Sequence, residues 1–276
     1  MRTQEPCAML VTIEKRRVHY DVLGEDRAPV VFFAHSLAAD GGMWAEQVPA
    51  LLAGGYRVVR MDMRGHGGSE AVDGPYTLHA LADDVAALLA TLAIERAHFV
   101  GLSIGAMLGQ SLALRYARAF ESFVFCDAQP SAPASARAAW SGPLAMVRRS
   151  NSLAPMRGGM LKAWLGDAFK TARPERWQAI ADTLLATSPV GFEGCVAAMS
   201  DFDFTAELPS LRAPALVVCG AADTMTPPAE NRRLADAIPG ARYEEIAGAR
   251  HFVNVEAADA FNRILVDWLQ ARRSSA

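Results

Sequence analysis

The chain has 276 residues, 51% hydrophobic and 21% charged, which suits one large α/β domain with a substantial core. A net charge of -3 argues against non-specific attraction to nucleic acid or to an anionic membrane surface. Four scattered cysteines, Cys7, Cys126, Cys195 and Cys219, argue against a disulfide framework or a zinc site and fit a reducing compartment.

The N-terminal stretch MRTQEPCAMLVTIEKRR lacks a secretory pattern, and no apolar run reaches the length of a membrane span. A soluble, cytoplasmic protein is expected. MLVTI and VHYDVL read as the strands of a hairpin, and PVVFFAH as a strand buried on both faces. MWAEQVPALLAGG reads as a helix closed by a glycine pair, and YRVVRMD as the next strand. Leu78, Leu81, Val85, Leu88, Leu89 and Leu92 recur at helical spacing behind Thr77, a suitable N-cap. HFVGLS is a strand, IGAMLGQSLALRYA a helix and SFVFCDA a strand. After a break, APALVVCG and ARYEEIAG read as strands, with PAENRRLADAI and VEAADAFNRILVDWLQARR as helices.

Alternating strands and helices predict a mostly parallel sheet with helices on both faces. Residues 129–205 break that rhythm with SAPASARAAW, Pro143, Pro155 and helical stretches around LKAWLGDAF and ERWQAIADTLLA. They read as a helical lid inserted into a core of residues 1–128 and 206–276, over the strand ends where open α/β sheets bind ligands.

Within HFVGLSIGAMLGQ, Ser103 sits in a G-x-S-x-G frame with a strand before it and a helix after it. Gly101 and Gly105 would relieve clashes at such a tight turn, and the helix N-terminus would favour a developing negative charge. A serine nucleophile needs a base, and of six histidines only His251 follows Ser103 in the chain. The acid belongs between them at a strand end. Asp223 is favoured over Asp127, which also suits a turn or cap. Asp201 and Asp203 read as solvent-facing or capping groups. Backbone N–H groups of Ile104 and of the HSLAAD loop at Leu37 are the candidates for an oxyanion hole. RMDMRGHGGSE reads mainly as a structural turn in which Asp62 and Arg64 bond backbone groups, with Arg64 and His66 as weaker candidates for substrate contact. Neither a dinucleotide loop nor a P-loop is present, so no nucleotide cofactor is expected, and no metal.

GLSIG, DMRGHGGS, CGAADTMTPP and GARHFVNVE together resemble the α/β-hydrolase superfamily over nearly the whole chain. HSLAADGGMWAEQV, RGHGGSEAVDGPYTL, HFVGLSIGAMLGQ and HFVNVE make it most similar to the 3-oxoadipate enol-lactonases. The resemblance implies an α/β-hydrolase fold: a mostly parallel eight-stranded sheet flanked by helices, with the lid after strand 6. It implies Ser103, Asp223 and His251 as the triad, Leu37 and Ile104 at the oxyanion hole, and Trp44 at the substrate. The expected reaction opens a small carboxylated enol-lactone through an acyl-enzyme, with no cofactor. Arg137, Arg148, Arg149 and Arg157 in the lid are candidates to meet the carboxylate, or ordinary surface residues. Ala38-Ala39 stands where G-T is usual in the group, and the lid matches it less well than the core. A general carboxylesterase, another lactonase, a carbon–carbon bond hydrolase and a ligand-binding member with little turnover are the alternatives. The expected partner is a small-molecule lactone or ester, with a homo-oligomer left open.

Overall fold

The computed structural model describes residues 9–273. Cys7, weighed above with the other cysteines, lies outside them. In chain order the strands are β1 Met9–Ile13, β2 Arg16–Leu23, β3 Val30–Ala34, β4 Arg57–Met61, β5 Ala97–Leu102, β6 Phe120–Cys126, β7 Ala215–Gly220 and β8 Arg242–Ile246. The helices of the first half are α1 Val48–Ala53, α2 Leu78–Thr91 and α3 Ile104–Arg115. Between β6 and β7 come α4 Ala136–Ser150, α5 Arg157–Trp164, α6 Asp167–Ala172, α7 Pro174–Ala186 and α8 Pro189–Met199. The chain then runs through α9 Pro228–Ala237, α10 Val253–Glu256 and α11 Ala258–Arg273.

The strands form one sheet of eight in the order β1-β2-β4-β3-β5-β6-β7-β8. The β1/β2 hairpin is antiparallel and joins β4 antiparallel; the other neighbours are parallel. From β3 the chain goes first to β4 on one side and later to β5 on the other. That reversal is the switch point at which doubly wound sheets open a crevice. Every residue of β3, β5 and β7 is buried, which explains their unbroken apolar sequences. Phe32, Phe33, Phe99, Phe123 and Phe125 are among the largest fully buried side chains.

Three elements differ from the sequence reading. The stretch read as one helix from Met43 begins as a 3-10 turn, Gly41–Trp44, and becomes α-helical only at Val48. The last helix is broken at Ala257 into α10 and α11. The apolar stretch from Leu161 to Phe169 is divided between α5 and α6 by the extended Leu165 and Gly166. Proline hid α4 from the sequence reading, since Pro143 lies inside it. The ends of this helical segment are tied together: Phe204 N–H donates to Pro130 O at 3.0 Å and Ala132 N–H to Phe202 O at 2.8 Å. It leaves and rejoins the sheet at one place.

The RGHGG turn seats these helices. Gly65 has φ +72°, and a Cβ there would lie 2.5 Å from Gly191 Cα in α8. Ser188, just before α8, donates its N–H to Gly65 O at 2.9 Å. Only glycine allows the two backbones to come this close.

Candidate active site

Strand register brings the site together. Ala34 pairs with Gly101, Leu102 with Cys126, Cys126 with Val218, and Gly220 with Ile246. The loops leaving β3, β5, β7 and β8 therefore emerge at the same edge, carrying Leu37, Ser103, Asp223 and His251.

Ser103 occupies φ 57°, ψ -120°, a backbone region costly for any residue with a side chain. The turn is over-determined by its surroundings. Ser103 N–H donates to Cys126 O at 2.9 Å, and Met107 N–H to Ser103 O at 2.9 Å. A Cβ on Gly101 would lie 2.3 Å from Gly105 O, and one on Gly105 would lie 2.3 Å from Ala34 O. Both glycines are thus required by close backbone approach, as the motif implied. Ile104 opens α3, so its N–H has no intrahelical partner. In the turn after β3, Ala38 is left-handed at φ 54°, and the Leu37 N–H has no backbone carbonyl as partner among the described residues. His35 anchors this turn: its Nδ1 bonds Ser36 O at 2.7 Å and its Nε2 accepts the Met63 N–H at 2.8 Å. A ring with those partners is neutral, and complete burial lowers its pKa in the same sense.

His251 Nδ1 lies 2.8 Å from Asp223 Oδ2, and both side chains are buried. Asp223 also accepts the Thr226 hydroxyl at 2.7 Å and the Met225 N–H at 2.8 Å. Burial would raise this carboxyl, but the His251 hydrogen bond and these donors outweigh it and hold Asp223 below the usual carboxylate range. An ionised Asp223 fixes the imidazole with Nδ1 as donor and Nε2 as the basic nitrogen. His251 Nε2 is buried and without a hydrogen-bond partner among the described residues. Ser103, His251, Leu37 and Thr226 line one cavity of about 160 Å³.

Asp127, the rival acid, is left-handed at φ 44° and accepts the Gly220 N–H at 2.8 Å. Burial and then the neighbouring Asp223 charge push its carboxyl well above the usual range, the opposite direction to Asp223. Asn231 joins the two loops, donating to Thr226 O at 2.7 Å and accepting the Ala128 N–H at 2.8 Å.

Trp44 is not where the resemblance put it. It is fully buried, with its ring 4.5 Å from Phe33 and 6.2 Å from Phe261, and it does not line the cavity. The 3-10 turn points it inward, where its apolar area fills the core. Trp140 and Trp164 stand at the cavity instead. Trp164 stacks on Phe252 at 4.3 Å and its carbonyl accepts the Phe252 N–H at 3.1 Å, tying α5 to the residue after His251. Nothing in their sequence surroundings marks Trp140 or Trp164, because the helices that carry them converge on the site only in three dimensions, whereas Thr226 lies in the same loop as Asp223, three residues on.

The RGHGG turn has a structural role. Asp62 accepts the Gly41 N–H at 2.7 Å and the Gly68 N–H at 2.9 Å, as expected, but Arg64 pairs chiefly with Asp84, at 2.6 and 2.9 Å. His66 is buried and its pKa is pushed down to about 3 by burial. None of the four arginines considered above as carboxylate anchors lines the cavity. Arg137 pairs with Asp201 at 2.6 Å and Arg148 with Glu193 at 2.9 Å. Arg157 lies over the Trp177 ring, and Arg149 is exposed. Cys126, Cys195 and Cys219 are free and buried. Among the described residues no group of His, Cys, Asp and Glu is placed to hold a metal ion, and no helix is long and apolar enough to cross a membrane.

The sheet order, the strained serine turn and the Asp–His pair define an α/β-hydrolase. Residues 31–264 match the model of the alpha/beta hydrolase family, and the chain belongs to that family. It is similar to 3-oxoadipate enol-lactonase 2 of Acinetobacter baylyi, 31% identical over 91% of this chain and 92% of that protein. It is also similar to a putative carbamate hydrolase, RutD, of Pantoea ananatis, 29% identical over 93% of this chain and 94% of that one. Among solved structures, the enol-lactonase of Burkholderia xenovorans superposes with a TM-score of 0.90 at 36% identity, covering 95% of this chain and 100% of that chain.

Proposed function

We propose that this hydrolase is a carboxylic ester hydrolase that opens a small lactone or ester through an acyl-enzyme on Ser103. The observation that carries the reading is the buried His251–Asp223 pair, with an unpartnered Nε2 in the same cavity as Ser103. Ser103 Oγ attacks the carbonyl carbon while its proton passes to His251 Nε2. The Leu37 and Ile104 N–H groups hold the oxyanion. The acyl C–O bond then breaks. As it breaks, His251 Nε2 gives the Ser103 proton to the leaving oxygen and is a free base again; in an enol-lactone that oxygen is a tethered enolate that needs little help from an acid. Water attacks the acyl carbon, giving its proton to His251, which returns it to Ser103 as the acid is released. Residues 129–205 act as the lid over this cavity, on a core formed by residues 1–128 and 206–276. The similarity to enol-lactonases supports a lactone substrate of this kind, in a cytoplasmic catabolic enzyme.

The test is a fluorophosphonate label together with a Ser103→Ala variant. The parent enzyme should be labelled at Ser103 and should release p-nitrophenolate from short p-nitrophenyl esters. Ser103→Ala should do neither. Full activity in Ser103→Ala would overturn the mechanism.

A further inference from the structure

The cavity beside Ser103 has a lining that bears on what can acylate it. Its walls are Met107, Met160, Met199, Met225, Trp140 and Trp164, with small residues between them. The polar groups other than Ser103 and His251 are Ser36, Gln129, Ser135 and Thr226, all uncharged. No lysine or arginine lines it among the described residues.

The cations nearby are sorted to the other side of α4. Trp140 is shared between the inner cavity and an outer groove of about 760 Å³, and Arg137 and Arg148 belong to that groove alone. There each faces a carboxylate, Asp201 or Glu193, which also line the groove. Arg176 pairs with Glu46 at 2.7 Å, and Arg250 is held by the carbonyls of Lys162 and Leu165.

A substrate carboxylate in the inner cavity would therefore be desolvated without a counter-charge, close to the ionised Asp223. The volume is small as well: about 160 Å³, against roughly 300–1,000 Å³ for pockets that take drug-sized ligands. Four thioethers give an apolar wall that adapts its shape but donates no hydrogen bond.

Resting on the acyl-enzyme reading above, we infer that the acyl pocket takes a compact, uncharged acyl chain or lactone ring and excludes a carboxylated one. This departs from the carboxylated enol-lactone that the sequence resemblance implies.

A matched pair of esters tests it: p-nitrophenyl valerate and mono-p-nitrophenyl glutarate, equal in chain length and differing in a terminal carboxylate. Release of p-nitrophenolate gives kcat/KM for each, or the burst rate where deacylation is slow. Leaving a carboxylate unpaired in the pocket predicts a preference of about 100-fold for the valerate. A preference below tenfold, or one for the glutarate, overturns the inference and leaves Ser103 as the nucleophile. Hydrolysis of neither ester, with Ser103 unlabelled by fluorophosphonate, overturns the acyl-enzyme reading and this inference with it.

Discussion

Gly105→Ala puts the geometry of the serine turn to a direct test. The added Cβ would lie 2.3 Å from Ala34 O and 2.7 Å from His35 O, where ordinary contact begins near 3.4 Å. Both neighbours are backbone, so neither can swing aside, and relief requires the start of α3 to move by about 1 Å. Residues Ile104 to Ala113 of α3 are all buried, so the helix has no free direction in which to shift. Overpacking of this kind costs about 1–3 kcal/mol of stability. The Ile104 N–H, the proposed oxyanion donor, travels with the helix, and its displacement should cost about 10²- to 10³-fold in kcat. Guanidinium unfolding and steady-state ester hydrolysis read both effects. Gly159→Ala is the internal control, because on the exposed side of α5 its added Cβ meets nothing within 4 Å beyond its chain neighbours. It should stabilise by about 0.5–1 kcal/mol and leave kcat alone. A Gly105→Ala protein with parental stability and parental kcat would refute the assignment of the turn.

Two further perturbations address the electrostatics. Asp223→Asn removes the charge that fixes the His251 tautomer and should lower kcat about 10⁴-fold. Asp127→Asn keeps an oxygen to accept the Gly220 N–H and touches no part of the His251–Asp223 pair, so it should retain activity within about tenfold; a larger loss in this variant would reverse the assignment of the acid. The His19–Asp62 pair, 2.7 Å apart, governs stability with pH. The Asp62 hydrogen bond raises the His19 pKa above 6.5, so this contribution is complete below 6.5 and fades as pH rises through the folded value. Burial raises the Asp62 carboxyl, but the His19 hydrogen bond and the Gly41 and Gly68 N–H groups outweigh it and hold it below 3.8. Its contribution is complete above 3.8 and fades as pH falls through the folded value. His19→Gln should therefore destabilise more at about pH 5.5 than at about pH 9 in urea unfolding, and an equal penalty at both would count against the pair.

Much of the architecture was legible in the sequence because it rests on local rules. Unbroken apolar runs such as VVFFA and ALVVCG mark strands covered on both faces, and Gly101 and Gly105 bracket Ser103 because backbone packs where their side chains would be. Chain order singled out His251, the last histidine in the sequence. Other features depend on which elements meet, and no local pattern encodes that. The choice between Asp223 and Asp127, both at strand ends, is decided by β8, whose following loop brings His251 to Asp223. Trp44 and Trp164 look equally available along the chain, yet one is turned into the core by a 3-10 turn and the other is brought to the cavity by α5. The arginines between β6 and β7 show the same division. Their number is plain from the sequence, but their pairing with Asp201 and Glu193 outside the cavity follows from how α4 packs against α8, and that packing leaves the pocket beside Ser103 without a positive charge.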